Sequence, residues 1–470
     1  MTTMPLPVMM NAVDRAWLEM DEPGNPMVIG ALIRLDGPVD AAEFQKTLVD
    51  RLLRQPRFAQ RVVRIHGTPC WIRDDDMDFR YHVQVRRLPA RNYELQLRKA
   101  VSLESSRDLD GGRPLWRLFL FPQPDGPITV LFRVHHAVAD GVALVTLLLD
   151  SADANLPRSM KRSHAVRGRS PRAGPLGGLI DLLDGCNTGL LRLRAAAGWL
   201  ANAATARRGL RKGWASMKAA RRVLSLPDDI PPPLRRPLSG RRDVTWACDI
   251  PFAPLRQAAR QLEVSVNDLF MTILAGALGR HLRRQGMRID GEQSLRVSIP
   301  VNLRAGRGRE LGNRFGLVLL DLPVGVEDFS GRLRLVSERM ARLKASVEAR
   351  VTLLGLAAAG HLPVPLESRL VCLIGAKSAA VVSNLPGPHR HVRIAGACMR
   401  SLAFWPPQAG GIGLGVSFFT YAGTLSVGLS ADRGRVPNPQ LLLDAIGEEM
   451  AALHHVVHPH DSGTPRVTGT

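Results

Sequence analysis

The sequence predicts an α+β protein of two lobes joined by a basic helical connector. Three observations carry this prediction. At 470 residues the chain is longer than a single hydrophobic core usually spans. Strand-like and helix-like stretches follow one another irregularly, without the strict β-α-β alternation of a doubly wound sheet. Residues 158–240 differ from both flanks, with 15 Lys/Arg against two Asp between 158 and 222. The expected division is 1–157, 158–240 and 241–470.

In the first lobe, Asn11 followed by Asp14 makes an imperfect capping box for a short amphipathic helix over residues 11–20. Residues 27–35 read as a buried strand, and Phe44, Leu48, Leu52 and Leu53 give residues 41–53 helical periodicity. Alternation predicts strands at 61–65 and 81–85. A helix is expected at 93–103, strands at 115–121 and 128–134, and a helix at 141–149. The connector begins irregular and rich in Ser, Arg, Gly and Pro, then sets Leu and Trp among Arg and Lys as basic amphipathic helices over 176–224. Pro227, Pro231, Pro232, Pro233 and Pro237 stiffen its exit.

The second lobe opens with a strand at 244–250 and helices at 254–261 and 265–284, the latter starting on Ser265. Strands at 294–301 and 317–322 and helices at 330–349 and 366–375 follow. A strand then ends in the turn Ser383-Asn384-Leu385-Pro386-Gly387-Pro388. Extended segments at 392–404, 412–421 and 425–429 precede a closing helix at 438–455. The uncharged run 412–429 is too rich in glycine for a membrane span and reads as a hairpin turning near Ala422-Gly423.

The net charge is +21, which speaks to partners and not to fold. Aromatics are only 5% and do not interleave with the basic residues, so no specific nucleic-acid partner is expected. Five scattered cysteines without a C-x-x-C pair fit a reducing compartment and offer no zinc site. No secretory signal is evident at the start, and neither a dinucleotide fingerprint nor a phosphate loop occurs.

The chemistry concentrates in His135-His136-Ala137-Val138-Ala139-Asp140-Gly141, at the end of the apolar stretch 127–134. A neutral imidazole titrates in the range a general base needs. Side-chain alternation sends His135 and His136 to opposite sides, so one of them faces a given cavity. Asp140 is placed to brace the base or pair with an Arg, and Gly141 permits a close backbone approach. A bare His-His pair is ordinarily a satisfied or solvated feature, as at His454-His455. The following Asp-Gly makes this pair far more specific.

That heptapeptide resembles the active-site signature of the CoA-dependent acyltransferase superfamily, which includes chloramphenicol acetyltransferase, nonribosomal condensation domains, polyketide-associated acyltransferases and the bacterial bifunctional wax ester synthase/diacylglycerol acyltransferases. Pro114-Leu115-Trp116, Asn267-Asp268 and Ser383-Asn384-Leu385-Pro386-Gly387-Pro388 are similar to motifs of the last family. Residues 298–304 with Leu311-Gly312-Asn313 resemble its second-lobe pattern, and the likeness runs over about residues 11–455. One departure lies at the start: the family's P-L-S/T-x-x-D is here Met10-Asn11-Ala12-Val13-Asp14.

The resemblance implies two chloramphenicol-acetyltransferase-like lobes with an active-site channel between them and His136 as general base. It implies acyl-CoA as a substrate, with no cofactor and no metal. Catalytic candidates are therefore His136, His135, Asp140 and Gly141. Arg304 is the candidate partner of Asp140. Asn267 and Asp268 are read as structural support through helix-capping chemistry and not as reacting groups, and Ser383 and Asn384 are candidate oxyanion donors or a plain turn. Pro114, Leu115 and Trp116 are expected to shape the lobe or channel. The expected acceptor is a fatty alcohol or diacylglycerol, giving wax ester or triacylglycerol. A condensation-type or polyketide-associated acyltransferase using a carrier-protein thioester or another hydroxyl acceptor is the alternative. The basic connector suggests peripheral contact with the cytoplasmic face of a membrane or with lipid droplets.

Overall fold

A computed structural model describes residues 7–22, 24–37, 40–123, 126–150, 231–302, 315–346, 352, 355 and 364–457. Almost the whole connector, and Arg304 with it, lies outside the described residues, as does the family-like stretch 311–313.

Three sheets organise the chain. Strand β1 (Val8–Met9) joins β3 (Gln60–Ile65) and β4 (Thr68–Arg73) in a small sheet of order β1-β4-β3. The first large sheet contains β2 (Val28–Asp36), β5 (Val83–Val85), β6 (Trp116–Pro122), β7 (Ile128–His135), β12 (Arg393–Ile394) and β13 (Ala397–Trp405), in the order β12-β13-β2-β7-β6-β5. The second contains β8 (Arg242–Pro251), β9 (Leu295–Asn302), β10 (Phe315–Leu322), β11 (Ala380–Pro386), β14 (Leu414–Tyr421) and β15 (Thr424–Asp432), in the order β10-β9-β11-β14-β15-β8.

The first lobe carries α1 (Ala12–Glu19), α2 (Ala41–Leu53), the short α3 (Phe79–His82), α4 (Tyr93–Ser105) and α5 (Gly141–Asp150). After the short α6 (Pro232–Arg235), the second lobe carries α7 (Phe252–Gln261), α8 (Val266–Arg284), α9 (Phe329–Ala345), α10 (Val364–Gly375) and α11 (Pro439–Val457). Caps set several of the starts. Asn11 Oδ1 accepts the Asp14 N–H at 2.8 Å, Asp40 caps α2, and Ser265 and Asp268 form a reciprocal capping box on α8.

The structure corrects the sequence reading in three places. The expected strand over 81–85 is cut short because Asp78 caps a helical turn, Phe79–His82, leaving only Val83–Val85 extended. Strand β4 has no counterpart in the sequence reading, and Pro69 near its start disguises it, since proline is tolerated only where the ladder does not need its N–H. The largest correction concerns the boundary at 240/241: residues 393–405 do not stay in the second lobe. Strand β13 returns to pair antiparallel with β2, from Cys398 opposite Asp36 to Trp405 opposite Gly30. From Ser401 to Trp405 it is buried on both faces, with Leu402 and Phe404 in the core beneath α1 and α2, and Ala403 and Trp405 in the cluster beneath α4.

The two lobes therefore share cores. Phe419 and Tyr421 of β14 lie in the first-lobe cluster, with Leu317, Val371 and Leu385 packed against it. Trp246 of β8 meets Leu97 and Val101 of α4. The run 412–429 is the expected hairpin, with Ala422 and Gly423 both at positive φ in the turn. Among the described residues no single helix is long and apolar enough to cross a membrane.

Candidate active site

Strand β7 is buried along its whole length and delivers the His-His pair to the sheet's end. Its neighbours fix the backbone there. The His135 N–H donates to Leu115 O at 2.9 Å, and the His136 N–H to Met27 O at 2.7 Å. The Pro114-Leu115-Trp116 stretch thus holds the motif through a main-chain bond, and its side chains are buried. Trp116 is further locked by its indole N–H to Phe58 O at 2.8 Å and by a stack on His82.

The two histidines go to different neighbours. His135 Nδ1 accepts the Ala137 N–H at 3.0 Å, so that nitrogen carries a lone pair and Nε2 carries the proton. Nε2 donates to Asp21 Oδ2 at 3.0 Å. The other Asp21 oxygen takes the Met27 N–H at 2.6 Å, and Met27 is the residue whose carbonyl holds His136. His136 itself is 6% exposed, and its ring stacks on Trp17 of α1 with centroids 4.1 Å apart and planes 17° apart. His135, grouped with the catalytic candidates from the sequence, has both ring nitrogens in structural bonds.

Asp140 ends the strand-to-helix turn as the cap of α5, its Oδ1 accepting the Ala143 N–H at 2.9 Å and its carbonyl the Leu144 N–H at 2.9 Å. Gly141 is where the lobes close. A Cβ there would sit 2.8 Å from Leu385 Cδ1, so glycine is needed for the approach and not for an unusual backbone angle.

Leu385 belongs to the second-lobe motif, and that motif meets the other second-lobe motif directly. Asn384 Nδ2 donates to Asn267 Oδ1 at 3.2 Å. Asp268 closes the capping box and lies 3.7 Å from Lys344 Nζ. Ser383 is buried opposite Ser417 in the β11–β14 pairing. Gly387 lets the turn close, because a Cβ would meet Thr420 O at 2.7 Å. Trp17, Asp21 and Met27 do not stand out in the sequence. Trp17 reads there as a core residue of a short helix, and Asp21 carries no motif.

Among the described residues no group of three His, Cys, Asp or Glu is placed to hold a metal ion.

Comparison with known families decides the identity. The wax ester synthase/diacylglycerol acyltransferase catalytic domain matches residues 10–270, and the C-terminal domain of the same family matches residues 311–454. The chain belongs to the wax ester synthase/diacylglycerol acyltransferase family. It is an acyltransferase of that family and carries its two-lobed fold. A probable diacylglycerol O-acyltransferase of Mycobacterium tuberculosis is 29% identical over 438 residues, covering 91% of each chain. A second one from that species, a putative diacylglycerol O-acyltransferase, is 27% identical over 94% of this chain and 90% of its own. The solved wax ester synthase/diacylglycerol acyltransferase of Marinobacter aquaeolei superposes with a TM-score of 0.67 over 96% of this chain and all of its own, at 20% identity. The first condensation domain of the CDA synthetase shares the fold at a TM-score of 0.60 and 18% identity, over 97% of each chain.

Proposed function

We propose that this family member moves a long-chain acyl group from acyl-CoA to the hydroxyl of a diacylglycerol or a fatty alcohol, with His136 as general base. The neutral imidazole takes the hydroxyl proton as the oxygen attacks the thioester carbon. The tetrahedral oxyanion then collapses, the C–S bond breaks, and the imidazolium returns the proton to the departing CoA sulfur.

The observation that carries this reading is the division of the histidine pair. His135 can accept a proton only at Nδ1, by giving up the Ala137 N–H, because Nε2 already carries the proton it donates to Asp21. His136 lies on the face of Trp17, whose indole quadrupole attracts an imidazolium by roughly 0.5–2 kcal/mol. The test is transfer from palmitoyl-CoA to dioleoylglycerol and, separately, to hexadecanol. His136→Ala is expected to lose about 10²- to 10⁴-fold in kcat while the variant still folds and unfolds cooperatively. Near-normal turnover in that variant would reject the assignment. Relatives named as diacylglycerol acyltransferases favour the glycerolipid product. The carrier-protein alternative has only the shared fold of the condensation domains behind it.

Both acceptors partition into lipid, so the enzyme is placed at the cytoplasmic face of a membrane or on lipid droplets. Arg192, Arg194, Arg207, Arg208, Arg211 and Lys212 of the connector are the candidate contacts, each worth roughly 1 kcal/mol near an anionic surface. Unchanged sedimentation with phosphatidylglycerol vesicles after all six are changed to Gln would overturn that placement.

A further inference from the structure

On the α4 side of the shared core, α4, the first residues of β8 and the segment leading into α11 enclose a groove of about 780 Å³ between the lobes. Six cationic side chains line it, Arg98, Lys99, Arg107, Arg241, Arg242 and Arg433, against the single carboxylate of Asp243. Arg433 takes that carboxylate through two bonds of 2.8 and 2.7 Å, and Arg107 reaches Glu104 at 2.9 Å. Arg98 is turned to neutral oxygens, at 3.0 Å from Thr245 Oγ1 and also bonded to Gln440. Lys99 and Arg241 are exposed, and neither forms a salt bridge among the described residues. Like charges crowded into one concavity repel one another unless an anion enters.

The groove's inner wall is tied to the catalytic motif by two routes. Arg133 donates to Arg107 O, and Arg133 is three residues ahead of His136, about 10 Å along a strand. Arg242, which burial pushes down to about 10 and which therefore keeps its charge at neutral pH, donates to Asn25 Oδ1. Asn25 is two residues from Met27, whose carbonyl holds the His136 N–H. A small cavity of about 20 Å³ is lined by Val28, Arg133 and Arg242.

We propose that this groove binds the phosphates of the acyl-CoA donor, with Lys99, Arg107 and Arg241 holding the 3′-phosphate and pyrophosphate. The proposal rests on the reading of acyl-CoA as donor. Coenzyme A carries three phosphate groups, and their charge complements the cation excess. An exposed Lys or Arg gains most from a phosphate, with which it forms charge-assisted hydrogen bonds. Leu95 and Leu103, 50% and 53% exposed on α4, offer apolar contact along the same wall.

The experiment compares decanoyl-CoA, decanoyl-dephospho-CoA and decanoyl-pantetheine as donors to hexadecanol, in the full chain and in a Lys99→Ala/Arg241→Ala variant. Both residues are exposed, so the variant is expected to fold. The KM for decanoyl-CoA should rise on the order of tenfold or more, with a smaller rise for the dephospho donor. The KM for decanoyl-pantetheine, which has no nucleotide, should move less than twofold. Equal rises for all three donors would overturn the proposal. An unchanged KM for decanoyl-CoA with lost sedimentation on phosphatidylglycerol vesicles would also overturn it, assigning the groove to lipid headgroups. Calorimetric titration with free CoA separates the two readings. If the intact protein binds CoA but transfers no acyl group, the donor chemistry fails while the variant's CoA affinity still tests the groove.

Discussion

The first-lobe motif and the second-lobe face that closes on it are built to different tolerances. His135 is held through its N–H, its carbonyl and both ring nitrogens, and His136 is fixed by Met27 and the flat face of Trp17. Across from them, the second lobe offers one amide–amide bond between Asn384 and Asn267 and one leucine tip against Gly141. A base must be positioned to a fraction of an ångström, because small misplacement costs orders of magnitude in rate. A wall that selects among greasy acceptors tolerates adjustment. Under the proposed mechanism, the chemistry belongs to the first lobe and the facing wall of the second is the expected acceptor side.

If that contrast is correct, changes on the motif side should cost both stability and rate, and changes on the facing side mainly selectivity. After His136→Ala, the largest effect is expected for His135→Ala, which strands the buried Ala137 N–H. It should cost about 1–3 kcal/mol in chemical denaturation and depress kcat by displacing its neighbour. A variant that unfolds normally but has lost all activity would make His135 a reacting group and break the comparison. Next, Asp140→Ala should cost about 1 kcal/mol through loss of the α5 cap, with Asp140→Asn retaining most of it.

On the opposite face, Gly141→Ala pushes on the flexible end of Leu385, so a severalfold loss of kcat/KM is expected. Leu385→Ala in the same chain should restore it, and rescue failing in the double variant would show that the glycine is needed for something other than that contact. Asn384→Ala should leave the melting temperature within a few degrees and change the ratio of wax ester to triacylglycerol formed from mixed acceptors.

The smallest effect concerns one buried imidazole in each lobe. Burial lowers the pKa of both His82 and His281. A histidine with a depressed folded pKa contributes stability that is fully present above its unfolded value and lost as pH falls through the folded one. Denaturation midpoints should therefore decline below about pH 6.5, and His82→Gln and His281→Gln should each flatten that decline.

Much of the site is legible in the sequence because its motifs are local. The heptapeptide after an apolar strand, the Ser265 cap and the turn at 383–388 each announce themselves within a few residues, and helices such as Ala41–Leu53 follow from periodicity alone. The misreadings come where local signals conflict. Pro69 hides a strand, and Asp78 turns an apparent strand into a helical turn. The pairing of Asp140 with Arg304 is still an expectation, since Arg304 lies outside the described residues. The helices expected in the connector lie there too.

The sequence by itself determined the two-lobed α+β class, the candidate base and the family resemblance, because short-range periodicity and contiguous motifs encode them. Only the tertiary structure decided that β13 crosses back into the first sheet, that Asn267 meets Asn384, and that Trp17 and Asp21 divide the two histidines. Those relations join residues more than a hundred positions apart. Burial on both faces of β13 and a glycine-sized gap at Gly141 select them, and neither leaves a pattern in the neighbouring sequence.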